Sequence, residues 1–292
     1  DLYAGRLLES LKQAGLIAPG SEVVATQGSI ENYRGIENGS LHLALVQQDV
    51  VADLMNRDNS KRVTAICRAF YEFLHIFKRQ NLNLDSPEAF RGLTIFPGNP
   101  DSGSRFTADF ALDVIGISPS QFQPYKNSEE QSVLLEELPA LFRNRNIDIA
   151  MAVTVPGDHQ VREGLGAGGH GLYPLPYALL RQLIDREDER DTDRASEMIL
   201  GQVQLAHLPD DAYPGVKGMP SVFTVSALLM TNQSFSEKHQ GIVEHILANA
   251  PAIWQQLERE KGWKSVIPVN TYELKKSGIP TVAQYVENSG AA

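Results

Sequence analysis

Three short polar stretches hold the residues able to do chemistry. They are Gln27-Gly28-Ser29 with Asn32, Gln47-Gln48-Asp49, and Asp101-Ser102-Gly103-Ser104-Arg105. Each follows an apolar run and precedes a helical pattern, so each offers hydroxyls and unsatisfied backbone N–H groups at a helix start. Such a place attracts anions. Arg105 adds a planar fork suited to a carboxylate or phosphate. Gln47, Gln48, Glu31 or Asp49 could meet an ammonium or hydroxyl group. Thr154, after the run Ile147 to Val153, and Tyr213, before Pro214-Gly215, are further candidates for contact with a small molecule. The chemistry these types suggest is non-covalent capture of a small anion. The plainer alternative is that Ser29, Asp49 and Ser102 only cap helices, that Glu31 serves a helix N-terminus, and that Tyr213 packs a hinge. Arg105 at a helix start opposes the helix dipole, which argues against a purely structural role for it.

Other chemistries find little support. Gly164-Leu-Gly-Ala-Gly-Gly matches G-x-G-x-x-G, but a dinucleotide site needs a strand before it and a helix after it, and the flanks read as a helix and as Tyr173-Pro-Leu-Pro. The seven histidines are scattered. His239 and His245 fall on different helical faces, and His75, inside an apolar run, reads as a core residue. Cys67 is the single cysteine, which excludes an intrachain disulfide and a cysteine-based metal cluster. Glu129-Glu130 and Glu136-Glu137 read as helix-surface carboxylates. We therefore expect no cofactor, no metal and no catalytic residues.

The elements that must position these turns alternate between strand and helix. Asp1 to Ala14 reads as an amphipathic helix with Leu2, Leu7, Leu8 and Leu11 on one face. A helix at this point of an α/β chain predicts a strand and a Gly-rich turn ahead of it. Ser21 to Thr26 reads as a strand, Ile30 to Asn38 as a helix stopped by Gly39, Leu41 to Val46 as a strand, and Val50 to Met55 as a helix capped by Asp49. Val63 to Cys67 and Phe73 to Phe77 are two extended runs. A short capped helix follows from Asp85 to Phe90. Leu93 to Phe96 is a strand, and the helix after it carries apolar residues at 106, 110, 111, 114 and 115. Phe122 to Tyr125, a helix from Ser128 to Arg143, and the strand Ile147 to Val153 repeat the pattern. The charge run Arg186 to Arg194 reads as solvated. Ser221 to Met230 is a strong β run, Ser236 to Lys261 a helix divided or kinked at Pro251, and 266–286 short mixed pieces. Strand–helix alternation predicts parallel α/β structure.

The totals narrow the function. A chain of 292 residues suits two domains. A net charge of −10 leaves no basic stripe for nucleic acid and argues against an anionic membrane face. No apolar run approaches the roughly 18 residues of a membrane span.

Ala25-Thr-Gln-Gly-Ser-Ile-Glu-Asn, followed by Ile36-Glu-Asn-Gly-Ser-Leu-His-Leu-Ala-Leu-Val-Gln-Gln-Asp-Val, resembles the "T-G-G-S-x-E-N … G-x-x-D-x-x-x-x-Q-S-D" pattern of TAXI-type solute-binding proteins of TRAP transporters. Asp101-Ser-Gly-Ser resembles that family's "P-G-S-G-T" turn, with Asp101 where a Gly is usual. Asn146-Ile-Asp-Ile-Ala-Met resembles its "G-x-I-D-A-x-F" strand. Ala212-Tyr-Pro-Gly and Val222 to Met230 resemble its "x-Y-x-G … V-x-T-V-x-V-x-A-x-L-V" region. The likeness spans residues 1 to 260. Gln27 replaces a Gly, Gln48 replaces a Ser, and Asn270-Thr-Tyr-Glu-Leu stands where the family has "H-P-G-A".

The resemblance implies a two-lobe type II periplasmic-binding-protein fold of α/β class with an inter-lobe cleft. We expect lobe one to comprise 1–91 with 219–292, and lobe two 92–218. It implies extracytoplasmic, periplasmic capture of a small organic anion or amino acid, such as glutamate or a dicarboxylate, for delivery to the membrane subunits of a TRAP-type permease. Two other readings stay open. One is a sensory input domain of the same fold, fused to a signalling domain in a membrane receptor. The other is an enzyme acting on a small carboxylate.

Overall fold

The computed structural model describes residues 2–58, 62–125, 132–168, 170–172, 203–216, 222–265 and 278–282. The charge run 186–194, the stretch 128–131 at the start of an expected helix, and the tail 266–286 apart from 278–282 lie outside the described residues.

The architecture is a mixed sheet crossed by helices. Strand β1 is Leu43–Gln47, β2 Val63–Arg79, β3 Thr94–Phe96, β4 Gln123–Pro124, β5 Ile149–Thr154, β6 His170–Leu172, β7 Gln204–Ala206 and β8 Val222–Asn232. Their order is β1-β8-β2-β5-β3-β4, with β6 beside β2 and β7 beside β8. Among the described strands the expectation of parallel structure holds for β3, β4 and β5, with one further parallel bridge from Ala65 of β2 to Thr281. Pairings of β8 with β1 and with β2, and of β2 with β5, are antiparallel. The reason is the late return of the chain: β8 comes back through the sheet and inserts between β1 and β2. The two extended runs expected within 62–79 are one strand. Its register against β8 shifts at Ala65/Cys67 and at Arg68/Phe70, bulges that bend a long strand.

Two long strands join two packing regions. The start of β2 (Val63, Ala65, Ile66, Cys67, Phe70) lies in one core with Leu228, Leu229 and Met230 of β8. Helix α1 (Leu2–Gln13) packs there through Tyr3, Leu7 and Leu11, spaced four apart, while Leu2 stays exposed. Helices α2 (Ser29–Asn38) and α3 (Gln48–Asp58) add Tyr33, Ile36, Val50 and Val51. The second half of β2 serves cores on both faces of the other region. Leu74 and Ile76 meet Ala108, Ala111 and Leu112 of α4 (Gly103–Val114) on one face. Phe73 and Phe77 meet Leu138 and Phe142 of α5 (Leu138–Arg143) and Val161 of α6 (His159–Gly166) on the other.

Helix α7 (Gln233–Lys238) and the long α8 (Gln240–Lys261) follow β8. Pro251 lies inside α8 without ending it. The helix buries Ile242, Val243, Ile246, Ile253 and Leu257 in the first core.

One expected strand does not form. Residues 21–26 form no regular element, and Val23 and Val24 are exposed. A strand must hand its N–H and C=O groups to a neighbour, and β1 pairs only with β8 among the described residues. The helix expected from 128 begins as a single turn at Leu135–Glu137 and continues as α5.

Candidate ligand-binding cleft

The first and third polar stretches converge. Gln27, Gly28, Ser29 and Asn32 at the start of α2, Gln47 at the end of β1, and Ser102, Gly103 and Ser104 at the start of α4 line one cavity of about 300 Å3. Its other walls include Phe70 and Glu72 of β2, Phe96, Gly98 and Asn99 after β3, and Val153 of β5. The cavity therefore lies between the elements of the first core and those of the second region.

The local sequence dictates this. Ser102 is the N-cap of α4: its Oγ accepts from Arg105 N at 3.1 Å and donates to Asn99 O at 2.7 Å. Gly98 has φ 109, and a Cβ there would lie 2.7 Å from Arg105 N, so only glycine lets the turn fold back on the helix. Asp101 has φ 57, the left-handed region that asparagine and aspartate tolerate. That conformation explains why a glycine can hold the same place. The Asp101 carbonyl accepts from Ile30 N at 3.3 Å, which ties the two helix starts together. Ser132 Oγ donates to Gln27 Oε1 across the same gap.

Hydrogen-bond accounting separates the lining residues that hold the cleft from those that face it. Asn99 is consumed by Val133, donating to its carbonyl at 2.9 Å and accepting from its N–H at 2.8 Å. Asn32 donates to Leu45 O at 2.9 Å and accepts from Thr26 Oγ1 at 2.7 Å. The Ser104 hydroxyl accepts from Val153 N at 2.9 Å. Ser29 Oγ accepts from Gln47 N at 3.1 Å and keeps its own proton to donate. The first turn of a helix leaves N–H groups without intrahelical partners: that of Arg105 is capped by Ser102, while Gly103 and Ser104, whose N–H groups are free to donate, line the cavity.

Gly103 is where the walls come closest. A Cβ on it would lie 1.9 Å from Gln47 Oε1 and 2.7 Å from Ser29 Oγ. Gln47 is only 5% exposed, and its Oε1 has no hydrogen-bond partner among the described residues. Its Nε2 donates to Glu72 Oε2 at 3.3 Å. Burial pushes the Glu72 carboxyl up to about 7. The Gln47 hydrogen bond opposes this and the nearby Asp49 charge adds to it.

The remaining candidates stand elsewhere. Gln48 and Asp49 are buried in the first turn of α3 and do not line the cavity. Asp49 accepts from Thr107 Oγ1 of α4 at 2.7 Å and from Val50 N at 2.9 Å. Burial raises its pKa to about 6, while the Thr107 and Val50 bonds pull the other way. Arg105 points along the exposed side of α4, where its Nε donates to Asp109 Oδ2 at 2.6 Å. Glu31 accepts from Gln27 N at 2.6 Å, closing the turn before α2. Thr154 pairs with Phe73 at the end of β5, outside the lining. Tyr213 is buried, 2.7 Å from His75 Nε2, whose Nδ1 lies 2.8 Å from Phe73 O. Burial drives His75 down to about 4, so it is neutral, accepting from the phenol and donating to the carbonyl.

Sequence reasoning missed Glu72, Phe70 and Phe96. The available signal for Glu72 was the one carboxylate in a long, mostly apolar stretch, hidden when 62–79 is read as two runs with a break across it. Among the described residues no group of His, Cys, Asp or Glu is arranged to hold a metal, and no helix is long and apolar enough to cross a membrane.

The chain belongs to the NMT1-like family, whose profile matches residues 8–189. No curated protein matches it in sequence. Solved structures match its fold. A protein from Bordetella bronchiseptica RB50 has a TM-score of 0.53 at 14% identity, covering 87% of this chain and 67% of that one. XAC2383 from Xanthomonas citri, bound to ATP, has a TM-score of 0.52 at 12% identity, covering 93% and 86%. An ABC uptake transporter substrate binding protein from Streptococcus pneumoniae, with bound histidine, has a TM-score of 0.50 at 8% identity, covering 89% and 82%. The fold is that of the two-lobe periplasmic binding proteins.

Proposed function

We propose that this chain is an extracytoplasmic solute-binding protein that captures a small carboxylate-bearing solute and delivers it to a membrane permease. The observation that carries the reading is the cavity of about 300 Å3, on which the starts of α2 and α4 converge. Small-molecule sites are concave, few per protein and fixed by a handful of polar groups. In this reading a carboxylate sits against the Gly103 and Ser104 N–H groups and the Ser29 hydroxyl. The lobes are 1–91 with 219–292, and 92–218. A solute touching both favours the closed arrangement by its differential affinity, and closure is the signal the permease reads. The protein binds and releases; it does not transform its ligand.

The motif likeness at Ala25 to Val50 and at Asp101 to Ser104 supports a TRAP-type permease as the recipient. The Streptococcus pneumoniae relative of the same fold, which belongs to an ABC uptake transporter, supports an ABC permease as the second reading.

A thermal-shift screen against dicarboxylates, amino acids, 2-oxo acids and phosphate tests the reading. At least one carboxylate raises the melting temperature in a concentration-dependent way, as a ligand specific for the native state must. Absence of any shift across the set at millimolar concentration contradicts it.

A further inference from the structure

Resting on the solute-binding reading above, we propose that Glu72, together with Gln47, seats a protonated amine, so that the cleft selects solutes carrying both a carboxylate and an ammonium group. The ligand class is the aminocarboxylic acids.

The first observation is the charge of the lining. Among the described residues it contains no Lys, Arg or His, and its single ionisable side chain is Glu72. Among these residues a purely anionic solute meets only a charge of its own sign, opposed by backbone dipoles and neutral donors. The second observation is a pair of acceptors short of donors. Gln47 Oε1 is buried and lacks a partner, and the carboxyl of Glu72 takes only the 3.3 Å bond from Gln47 Nε2 among the described side chains. A buried acceptor left unmade is costly. A group able to satisfy both needs several N–H donors, which an ammonium supplies. The third observation is a set of donors beside these acceptors: the Gly103 and Ser104 N–H groups at the start of α4 and the Ser29 hydroxyl at the start of α2. Donors and acceptors thus stand side by side in one small cavity, a Cβ on Gly103 lying 1.9 Å from Gln47 Oε1 and 2.7 Å from Ser29 Oγ, the close spacing at which an α-amino acid carries its carboxylate and ammonium on one carbon.

Burial holds Glu72 up to about 7, with Asp49 as the charged neighbour that adds to the effect. A cation beside the carboxyl acts in the opposite sense and favours its ionised form. A protonated Glu72 that receives an ammonium therefore releases its proton to solvent.

The test is calorimetric titration at pH 8 with matched pairs differing only in the amine. The pairs are L-glutamate and glutarate, L-glutamine and glutaramate, L-alanine and propionate, and L-leucine and 4-methylpentanoate. Wild type and Glu72→Gln are compared. At least one amino acid binds wild type about tenfold or more tightly than its deaminated partner. In Glu72→Gln that gap closes, while the deaminated acid binds as well as before or better. Glutamine is isosteric with the protonated acid, and a melting curve of the variant no lower than wild type at pH 7 confirms that it folds. Equal affinity within every pair that binds, or a gap that survives in Glu72→Gln, overturns the role of Glu72 and leaves the solute-binding reading standing. No binding by any member of any pair overturns the proposal, and the thermal-shift screen with dicarboxylates, 2-oxo acids and phosphate then decides whether the broader reading falls with it.

Discussion

Gln47 and Glu72 meet on the wall of the cleft although β8 stands between their strands. Gln47 on β1 and Phe70 on β2 are both register partners of Ala227 of β8, and Ala227 itself lines the cavity. A small side chain at that crossing leaves room for the Gln47 amide to reach over β8 and donate to Glu72 at 3.3 Å. The sheet order thus brings together two polar residues that the sequence separates, and the energetics of the site follow from their meeting in a half-enclosed place.

Glu72 makes the empty protein less stable as pH rises. Its folded pKa of about 7 exceeds the ordinary 4.5, so the folded state binds more protons between those values. Its stabilising contribution is complete below about pH 4.5 and is lost as pH rises through about 7. Glu72→Gln removes that loss. Its melting temperature equals that of wild type at pH 4.5 and exceeds it at pH 8, by a free energy on the order of 1–3 kcal/mol. Superimposable curves for the two proteins across this range would count against a Glu72 carboxyl held out of water without a cation beside it.

Asp49 and Thr107 form a second buried contact, joining α3 to α4 at 2.7 Å. Thr107→Val removes the donor and leaves the Asp49 carboxylate short of a partner, at a cost of about 1–3 kcal/mol. The hydroxyl favours the charged form, so losing it raises the Asp49 pKa above about 6. The destabilisation by Thr107→Val is therefore larger at pH 8 than at pH 4, as urea unfolding at the two values would reveal. A pH-independent effect would mean that the hydroxyl does not bind the ionised carboxylate.

Arg105 and Asp109 pair one turn apart on a face of α4 that is 37% and 48% exposed at the two side chains. Exposed pairs of this kind contribute little, about 0.2–1 kcal/mol. Arg105→Ala keeps the Arg105 N–H cap on Ser102 and is expected to change stability by less than about 1 kcal/mol. Amino-acid affinity stays within about twofold of wild type. A tenfold loss would mean that the guanidinium leaves Asp109 and reaches the solute.

Phe70 gives the cleft a spectroscopic reporter. It lines the cavity and stacks on Trp254 at 5.2 Å, with Trp263 at 6.0 Å. These are the two tryptophans of the chain. Filling the cleft therefore shifts tryptophan emission saturably, with the midpoint found by calorimetry. An emission spectrum indifferent to a solute that binds by calorimetry would place that solute outside this cavity.

Much of the cleft is legible in the sequence because local rules build it. A polar turn after an apolar run, a capping serine and a glycine at the point of closest approach are enough to mark 27–32 and 101–104. Side-chain fate is harder to read. Arg105 looks like an anion partner by type and position, yet Asp109 one turn on holds it at 2.6 Å on the exposed side of the helix. Asp49 looks like a cap but lies inside the first turn of α3, which begins at Gln48; one oxygen accepts from Val50 N, and the other joins α4, a partnership only the tertiary fold creates. Sheet order is harder still. Residues 21–26 have the composition of a strand and form no regular element, while the late insertion of β8 makes the sheet mixed. Glu72 escapes notice because its significance depends on that insertion.

Gly103 offers the most direct test of the central claim. A methyl group there would sit 1.9 Å from Gln47 Oε1 and 2.7 Å from Ser29 Oγ, both ends of side chains. The walls can yield without unfolding the helix, but the seat between them is filled. Calorimetric titration of wild type and Gly103→Ala with the tightest carboxylate from the screen is the measurement to make. The account predicts one site per chain in wild type, an affinity at least about tenfold weaker in Gly103→Ala, and a melting temperature for the variant within a few degrees of wild type. Unchanged affinity in a folded Gly103→Ala would contradict it, because the solute would then be held somewhere other than the cleft at the start of α4.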